Sequence, residues 1–373
     1  MTPHEHYSGS RIVSKARQRE ELRPHGVTPP SCHDCVFFRA CGGVQPERSL
    51  LNCFDHSCCG NGRCDHVCPF KPDFQARMRE VRGLRFDDLA PLAQRPAELP
   101  RYVPVIDHKS RRHEPLAYPV VALDAYRVFR LKGGAYRAIA EDAAALRRAF
   151  GLGESARIIL RGTARDPFLE RYWAYRKCDR APDQMTRLGV SLAIGPNFSH
   201  FLDVPRTDNL FNRKRQLICL EEIARAGLDA VPHLSAVVPG DWAYWRGYLR
   251  ENPSVTYVAK EFQTGNKNAT QGRWAIDRMA QLQEEIGRRL HPLVIGGGQF
   301  VEYLAARFPE FTLIDSEPFT RATRRRRFDR SAGVKPWAET WTLIGQPIDR
   351  LVAENVERYA AWIEARAVAA RAA

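Results

Sequence analysis

The stretch that decides the fold runs from Leu293 to Glu317 and reads LVIGGGQFVEYLAARFPEFTLIDSE. It contains two short apolar runs, at residues 293–295 and 311–314. Runs of this length are typical of buried strands, and the glycines after the first run permit a tight turn into a helix. The stretch therefore predicts a strand, a helix and a second strand parallel to the first.

The same alternation of short apolar runs and amphipathic segments extends over most of the chain. Eight strands are predicted, at residues 120–123, 157–160, 190–194, 230–234, 255–259, 293–295, 311–314 and 341–344. Apolar residues at helical spacing are Trp274, Met279, Leu282, Ile286 and Leu290, and in a last helix Val352, Val356, Tyr359 and Ile363. Strands and helices that alternate in this number predict the α/β class and a (β/α)8 TIM-like barrel, with a doubly wound open sheet as the alternative.

Composition divides the chain into four regions. Residues 1–30 form a polar N-terminal tail, 31–75 a cysteine-rich metal-binding module, 76–115 a proline-punctuated linker and 116–373 the β/α barrel domain. A length of 373 residues suffices for one large domain and a small appended module.

Charge favours a polyanionic partner. The chain carries 57 Lys and Arg against 43 Asp and Glu, a net charge of +14, which indicates DNA or RNA because neutralised phosphates release counterions. A general preference for surface arginine would give the same excess. No run of 18 apolar residues and no apolar leader are present, so we expect a cytoplasmic protein without a membrane partner.

Eight of the ten cysteines are concentrated in one short segment, at Cys32, Cys35, Cys41, Cys53, Cys58, Cys59, Cys64 and Cys68. In a reducing compartment this density favours metal ligation over disulfides. Eight thiolates make two sets of four, the number that tetrahedral Zn²⁺ or a [4Fe–4S] cluster requires. We therefore expect a metal site in this module.

The spacing leaves the metal open. Cys64-x3-Cys68-Pro69 is similar to the closing Cys-Pro of bacterial ferredoxins, and the loop from Cys32 to Cys41 is similar to auxiliary-cluster loops of radical enzymes. Three histidines in the module suit zinc instead: His33, His56 and His66. The expected cofactor is an iron–sulfur cluster ([4Fe–4S]) or Zn²⁺.

Polar residues follow nearly every predicted strand, where parallel α/β folds place their functional groups. The candidates for substrate contact are Asn197, Ser199, His233, Lys260, Glu261, Gly296, Gly297, Gly298, Gln299 and Arg321, and the candidate catalytic carboxylates are Asp124, Asp315 and Glu317. Solvated loops are polar as well, so the recurrence at successive strands, not any single residue, supports a site.

Two basic runs are candidates for phosphate contact. They comprise Arg213, Lys214 and Arg215 in the middle of the chain and Arg324, Arg325, Arg326 and Arg327 after Asp315. A solvated helix face is the alternative interpretation of the second run.

The segment that follows the glycine triplet resembles the tRNA-guanine transglycosylase superfamily and its phage branch that installs 7-deazaguanines in DNA. The matching residues are Gly296, Gly298, Asp315, Thr320 and Arg321, with Pro318 one position early, and Leu123-Asp124 before Val128-Phe129. The family's zinc ligands follow its barrel, whereas the cysteines here precede it. The middle of the chain, from Pro196 to Lys267, is similar to an uncharacterised family of phages and mobile elements.

The resemblance implies base exchange on DNA or tRNA. It makes Asp315 the nucleophile at the sugar C1′, with Asp124 or Glu317 relaying protons between the outgoing and incoming purine-like bases. A target base in a duplex has to be flipped out first.

Other interpretations remain open. The acidic strand ends suit a metal-dependent nuclease or phosphate-ester hydrolase, and the charge suits a DNA- or RNA-binding protein of a mobile element that is no enzyme. Asp315 itself is also well placed to cap the next helix, which Pro318 would help to start.

Overall fold

The computed structural model describes residues 80–83, 86–95, 98–108, 112–201, 206–330, 336–343 and 345–372, without the side chains of 206–208. The predicted polar tail and the cysteine-rich module, with all eight candidate ligands, lie outside the described residues. The chain divides into two compact units. A smaller unit comprises residues 1–89, 198–218 and 235–245, and a larger unit comprises 90–197, 219–234 and 246–373.

Twelve strands lie in the described residues of the larger unit: β1 (Tyr102–Pro104), β2 (Val120–Asp124), β3 (Phe129–Lys132), β4 (Ala135–Ala138), β5 (Arg157–Arg161), β6 (Val190–Ile194), β7 (Asp229–Val231), β8 (Tyr257–Glu261), β9 (His291–Ile295), β10 (Thr312–Asp315), β11 (Arg326–Phe328) and β12 (Trp337–Glu339). Two four-stranded parallel sheets have the orders β1-β10-β9-β8 and β2-β5-β6-β7. β3 with β4 and β11 with β12 form antiparallel pairs. The predicted mixed α/β class with parallel strands is confirmed.

The helices alternate with these strands. In the described residues they are α1 (Ala125–Val128), α2 (Ala143–Phe150), α3 (Asp166–Tyr175), α4 (Ala181–Arg187), α5 (Arg206–Arg225), α6 (Pro239–Glu251), α7 (Ala269–Ile286), α8 (Val301–Ala305), α9 (Glu317–Thr323) and α10 (Asp349–Ala372). Within these ranges no helix combines the length and apolar character that a membrane crossing requires.

Local chemistry explains where α7 begins and ends. Asn268 precedes α7 and its side chain accepts the Thr270 N–H at 2.9 Å, while Gly287 ends the helix with a φ of 70°. A side-chain acceptor at the start and a left-handed glycine at the end are the usual signals of helix boundaries. Met279 and Leu282 are buried as the spacing predicted, but Trp274 is 43% exposed and does not belong to the apolar face.

Each edge of one parallel sheet is bridged to an edge of the other. Val105, just after β1, forms a parallel bridge with Ala122 of β2. At the opposite edges His233, after β7, forms a parallel bridge with Ala259 of β8, and the Leu234 N–H donates to the Ala259 carbonyl at 2.8 Å. The edge strands therefore have hydrogen-bonded partners beyond their own sheet.

A single apolar cluster, here called the inner cluster, contains residues from all eight parallel strands. Its members are Val103, Val105, Val120, Ala122, Ile159, Leu192, Ile194, Val231, Tyr257, Ala259, Leu293, Ile295 and Ile314. Members on the same strand are two positions apart, as expected for side chains on one face. The two parallel sheets thus share one core.

One predicted strand is wrong, and the missed strands are β1 among the parallel strands and the four strands of the two antiparallel pairs. Residues 341–343 form no strand, and Trp341 and Leu343 are exposed, so no described residue packs against an extended apolar segment there. The remaining parallel strand is β1, which lies inside the segment 76–115 that was predicted as a linker. We did not predict β1 because it contains Pro104, and proline is usually excluded from strands within a sheet.

Candidate functional site

Strand alternation determines which polar side chains face the inner cluster. In β10, Ile314 belongs to that cluster, so Asp315 faces the opposite side of the sheet. Its contacts agree with this placement, because its carboxylate lies beside Tyr359 of α10 and Tyr102 of β1. Tyr102 in turn precedes Val103, another member of the inner cluster. Asp315 is thus at a strand end, as predicted, but on the helix-facing side of the sheet.

Three donors hold the Asp315 carboxylate. The Glu317 backbone N–H donates to Oδ1 at 2.9 Å and the Tyr102 hydroxyl to the same oxygen at 3.3 Å. The Tyr359 hydroxyl donates to Oδ2 at 3.3 Å. The bond to Glu317 satisfies the first N–H of α9, as the helix-capping interpretation predicted, although the residue that directly precedes α9 is Ser316 and its side chain makes no capping bond.

Burial raises the pKa of Asp315 from 3.8 to about 6, and the neighbouring Glu317 carboxylate raises it as well. The Glu317 N–H and the tyrosine hydroxyls lower that pKa, but by less. Because the folded-state pKa lies above the unfolded value, the ionised carboxylate destabilises the folded protein. The neutral form of the carboxyl is favoured by folding. The stability that it contributes is fully present below about pH 4, is lost as the pH rises to about 6, and stays lost above it.

Asp315 forms part of the wall of an open cleft of about 920 Å³. The loop at residues 296–298 forms another part, with Gly296 and Gly297 in the left-handed region at φ values of 70° and 81°. A Cβ on Gly298 would lie 2.9 Å from the Tyr359 hydroxyl and 3.9 Å from Asp315 Oδ2. The loop can approach this pair because residue 298 has no side chain.

Arginines dominate the charge of the cleft. Five arginines and three carboxylates line it: Arg321, Arg324, Arg326, Arg330 and Arg366, with Glu302, Asp315 and Glu317. Arg321 pairs with Glu317 at 2.9 Å, Arg326 with Glu339 at 3.7 Å, and Arg366 with Glu302.

The two other arginines of the cleft differ from these three. Arg324 and Arg330 are exposed, and neither forms an ion pair with any residue in the described ranges. The cleft therefore has positive charge available for an anionic ligand.

Aromatic rings form a third part of the lining. The ring centroids of Trp337 and Tyr359 are 5.9 Å apart with an interplanar angle of 26°, and Trp362 lies 5.3 Å from Tyr359. Arg366 lies 4.4 Å above the Trp362 ring. Aromatic faces beside cationic groups are the combination on which nucleobases and their phosphates bind.

A second group of predicted residues faces the inner cluster instead. Asp124 lies two positions after Ala122 and pairs with Arg161 at 2.5 Å, with both side chains buried. His233 and Glu261 follow Val231 and Ala259 at the same spacing and are also buried. Asp124 and Asp315 are on opposite faces of the parallel strands, so the predicted proton relay from Asp124 to chemistry at Asp315 is not supported.

Other predicted contact residues hold the local backbone. Asn197 Oδ1 accepts the Ala164 N–H at 3.0 Å, and Lys260 donates to the Leu234 carbonyl at 2.8 Å. Glu261 accepts the Gln263 N–H at 2.6 Å.

Two further candidates also have local partners. The Ser199 carbonyl accepts from the Asn212 side chain at 2.6 Å. Gln299 lines the cleft and donates to the Lys267 carbonyl at 3.3 Å.

The first basic run does not form a cationic surface. Arg213, Lys214 and Arg215 are each no more than 5% exposed. Arg213 pairs with Asp241 at 2.5 Å, Lys214 pairs with Asp88, and Arg215 lies over the Phe198 ring. The prediction that these three residues bind nucleic acid is wrong, because their side chains are buried and contact neighbours inside the smaller unit.

The second basic run is divided between two roles. Arg324 and Arg326 line the cleft, whereas Arg325 and Arg327 do not. Arg325 has a φ of 56° and donates to the Gln346 carbonyl, and Arg327 pairs with Glu354 at 3.5 Å.

Several residues that line the cleft or contact Asp315 were not predicted from the sequence. Tyr102 was assigned to the linker, and Tyr359 was placed on a buried helix face without a role for its hydroxyl. Arg330, Trp362 and Arg366 lie on elements that follow the motif region and carry no motif of their own. Their only sequence signal is the concentration of arginine and aromatic residues after Asp315.

No group of three or more His, Cys, Asp or Glu side chains that could hold a metal ion occurs in the described part of the chain. In comparisons with known proteins, no protein-family model and no curated protein sequence matches this chain.

Proposed function

We propose that the protein is a nucleic-acid base-modifying enzyme of the transglycosylase type, with Asp315 as the nucleophile. The observation that carries this proposal is the carboxylate itself, which forms part of an arginine-rich and aromatic cleft with a pKa of about 6. A carboxylate that desolvation has destabilised, yet that is ionised at neutral pH, is suited to attack an anomeric carbon. The resemblance around Gly298, Asp315 and Arg321 supports the same reaction.

We also infer that the two parallel sheets close into a (β/α)8 barrel. The bridges at Val105 and His233 and the shared inner cluster support closure. With β1 counted as the first strand, β9 and β10 become the seventh and eighth. The loops after these two strands are where such barrels frequently bind phosphate groups, which agrees with the position of the cleft.

The proposed reaction exchanges one base for another at a single sugar. An Asp315 oxygen forms a bond to C1′ while the bond between C1′ and the outgoing base breaks, and that base takes up a proton as it leaves. The incoming base gives up a proton, attacks C1′ and restores the carboxylate. Glu317 lines the same cleft and is the candidate to carry the proton between the two bases.

Incubation of purified protein with tritiated guanine and either DNA or tRNA tests this function. We expect label in the polymer with no backbone cleavage. Backbone cleavage that depends on added Mg²⁺ would instead identify a hydrolase. Tight binding without turnover, retained when Asp315 and Glu317 are both replaced, would identify a binding protein.

Tyr359→Phe is expected to shift the pH profile of base exchange. In the unaltered protein kcat/KM should rise through about pH 6 as Asp315 ionises, and loss of a hydroxyl that lowers the Asp315 pKa should move this rise to higher pH. Tyr303→Phe is a suitable control, because that hydroxyl bonds Asp277 outside the cleft. An unchanged profile in Tyr359→Phe would show that the hydroxyl does not position the nucleophile.

We propose further that the cysteine-rich segment holds an iron–sulfur cluster or Zn²⁺, and that the protein works in the reducing cytoplasm. Cysteine thiols bind these metals as deprotonated thiolates, and binding stabilises the folded segment. Elemental analysis of anaerobically purified protein should find iron or zinc, and chelation should expose residues 31–75 to proteolysis first. A protein that contains neither metal would contradict this proposal.

A further inference from the structure

We infer that the substrate of the cleft is a single nucleic-acid strand, whose phosphates Arg324 and Arg330 hold. This inference rests on the proposed function, because it names the substrate class of the same site. Ion pairing and position distinguish these two arginines from the other three arginines of the cleft, a distinction that the sequence alone does not provide.

Ion pairing first distinguishes these two arginines. Each of Arg321, Arg326 and Arg366 forms an ion pair with a carboxylate, which offsets much of the arginine's positive charge. Arg324 and Arg330 line the cleft, are exposed, and have no such partner within the described ranges. Binding a phosphate therefore requires them to break no existing ion pair.

Position is the second distinction. Arg324 stands at the end of α9 and Arg330 lies just beyond β11, so the two reach the cleft from different elements. Two cations on separate elements can each hold a phosphate of one strand. A free base or nucleoside would leave both of them without a partner.

The position of Asp315 favours one strand over two. The cleft volume of about 920 Å³ is in the range of small-molecule sites, which is enough for a nucleotide. A base that is paired and stacked in a duplex cannot bring its C1′ to a carboxylate that is only 7% exposed, so the target nucleotide has to be single-stranded or flipped out. Trp362 lines the cleft and is partly exposed with Arg366 over its ring, so this aromatic and cationic pair can contact a base of the strand.

The test measures the binding of a fluorescein-labelled 12-nucleotide DNA strand by anisotropy between 50 and 200 mM salt. Each phosphate contact in a single strand contributes about −0.7 to the slope of log affinity against log salt. The double variant Arg324→Gln, Arg330→Gln should reduce the slope by about 1.4 and weaken binding about 25-fold at 0.1 M salt. Both side chains are exposed, so we expect the variant to fold.

Three controls make the result specific. Arg327→Gln removes an exposed arginine of the same run that does not line the cleft, and should leave affinity and slope unchanged. Arg324→Lys with Arg330→Lys should keep the slope, because it keeps the charge. Asp315→Asn should bind the strand at least as tightly as the unaltered protein, because it removes a negative charge from the cleft, and this separates a failure of the binding inference from a failure of the proposed chemistry.

Several outcomes would overturn the inference. They are an unaltered protein that does not bind the strand, a double variant whose slope equals that of Arg327→Gln, and a nucleoside monophosphate that competes as well as the strand. The last result would identify a mononucleotide as the ligand.

Discussion

Asp315→Asn is expected to abolish base exchange while making the folded protein more stable. The Asp315 pKa of about 6 in the folded state against 3.8 corresponds to a stability cost of up to about 3 kcal/mol at pH 7, which a neutral amide would not incur. Asparagine can still accept the Glu317 N–H and cap α9. The free energy of unfolding should therefore rise, and the difference from the unaltered protein should vanish near pH 4.

Activity should change in the opposite direction. A neutral amide is a very poor nucleophile toward C1′, so we expect a loss of more than about 10³-fold in kcat/KM. The measurement pairs denaturant unfolding at several pH values with incorporation of labelled guanine. Opposite signs for stability and activity are the signature of a functional carboxylate kept in an unfavourable environment.

Asp142→Asn is the matched control. Asp142 caps α2 by accepting the Ala145 N–H at 2.7 Å, and it is exposed and outside the cleft. Because Asn caps about as well as Asp, both stability and activity should stay close to those of the unaltered protein. If Asp315→Asn behaves like this control, Asp315 is a helix cap and has no catalytic role.

Asp241→Ala is expected to destabilise the protein by about 3–5 kcal/mol, the typical cost of leaving a buried charge without its partner. Asp241 is fully buried, pairs with Arg213 at 2.5 Å and accepts the Val237 and Val238 N–H groups at 2.8 and 3.0 Å. The substitution leaves the Arg213 guanidinium, only 1% exposed, without this carboxylate.

Denaturant unfolding measures this effect. The exposed pair of Arg180 and Asp183 provides the control, and Asp183→Ala should cost no more than about 1 kcal/mol. The double variant Arg213→Met, Asp241→Leu should be more stable than Asp241→Ala, because it removes both charges. A cost below about 1 kcal/mol for Asp241→Ala would show that the pair is solvated in solution.

Apolar spacing was sufficient to predict most of the parallel strands, because a strand buried on both faces reads as a continuous apolar run. It failed at β1 and at residues 341–344 for related reasons. Pro104 interrupts a run that tertiary pairing with β10 nevertheless holds extended. The run that begins at Trp341 has the right composition, but Trp341 and Leu343 are exposed, with no neighbour among the described residues to bury them.

The candidate site was predictable in part. Asp315, Glu317 and the glycine triplet were found because a strand end followed by a helix is visible in the sequence. Which face of the sheet a strand-end residue occupies depends on the register with the core, and a strand buried on both faces gives no alternation from which to read it. Asp124 and Asp315 were therefore assigned to one site although they lie on opposite faces.

Charge runs were the least informative signal. Arg213 and Arg324 belong to similar basic clusters in the sequence, yet one is buried against Asp241 and the other is exposed in the cleft. The partners that distinguish them lie on other elements of the fold, and no local pattern encodes them.

Mass spectrometry of nucleosides from DNA and tRNA tests the central claim most directly. It compares cells without the gene, cells with the unaltered gene and cells with the Asp315→Asn variant. We predict a modified purine nucleoside that appears only with the unaltered gene, while the variant protein accumulates to at least the same level. The same nucleoside in cells with the Asp315→Asn variant, or identical nucleosides in all three, would contradict the claim that Asp315 exchanges a nucleic-acid base.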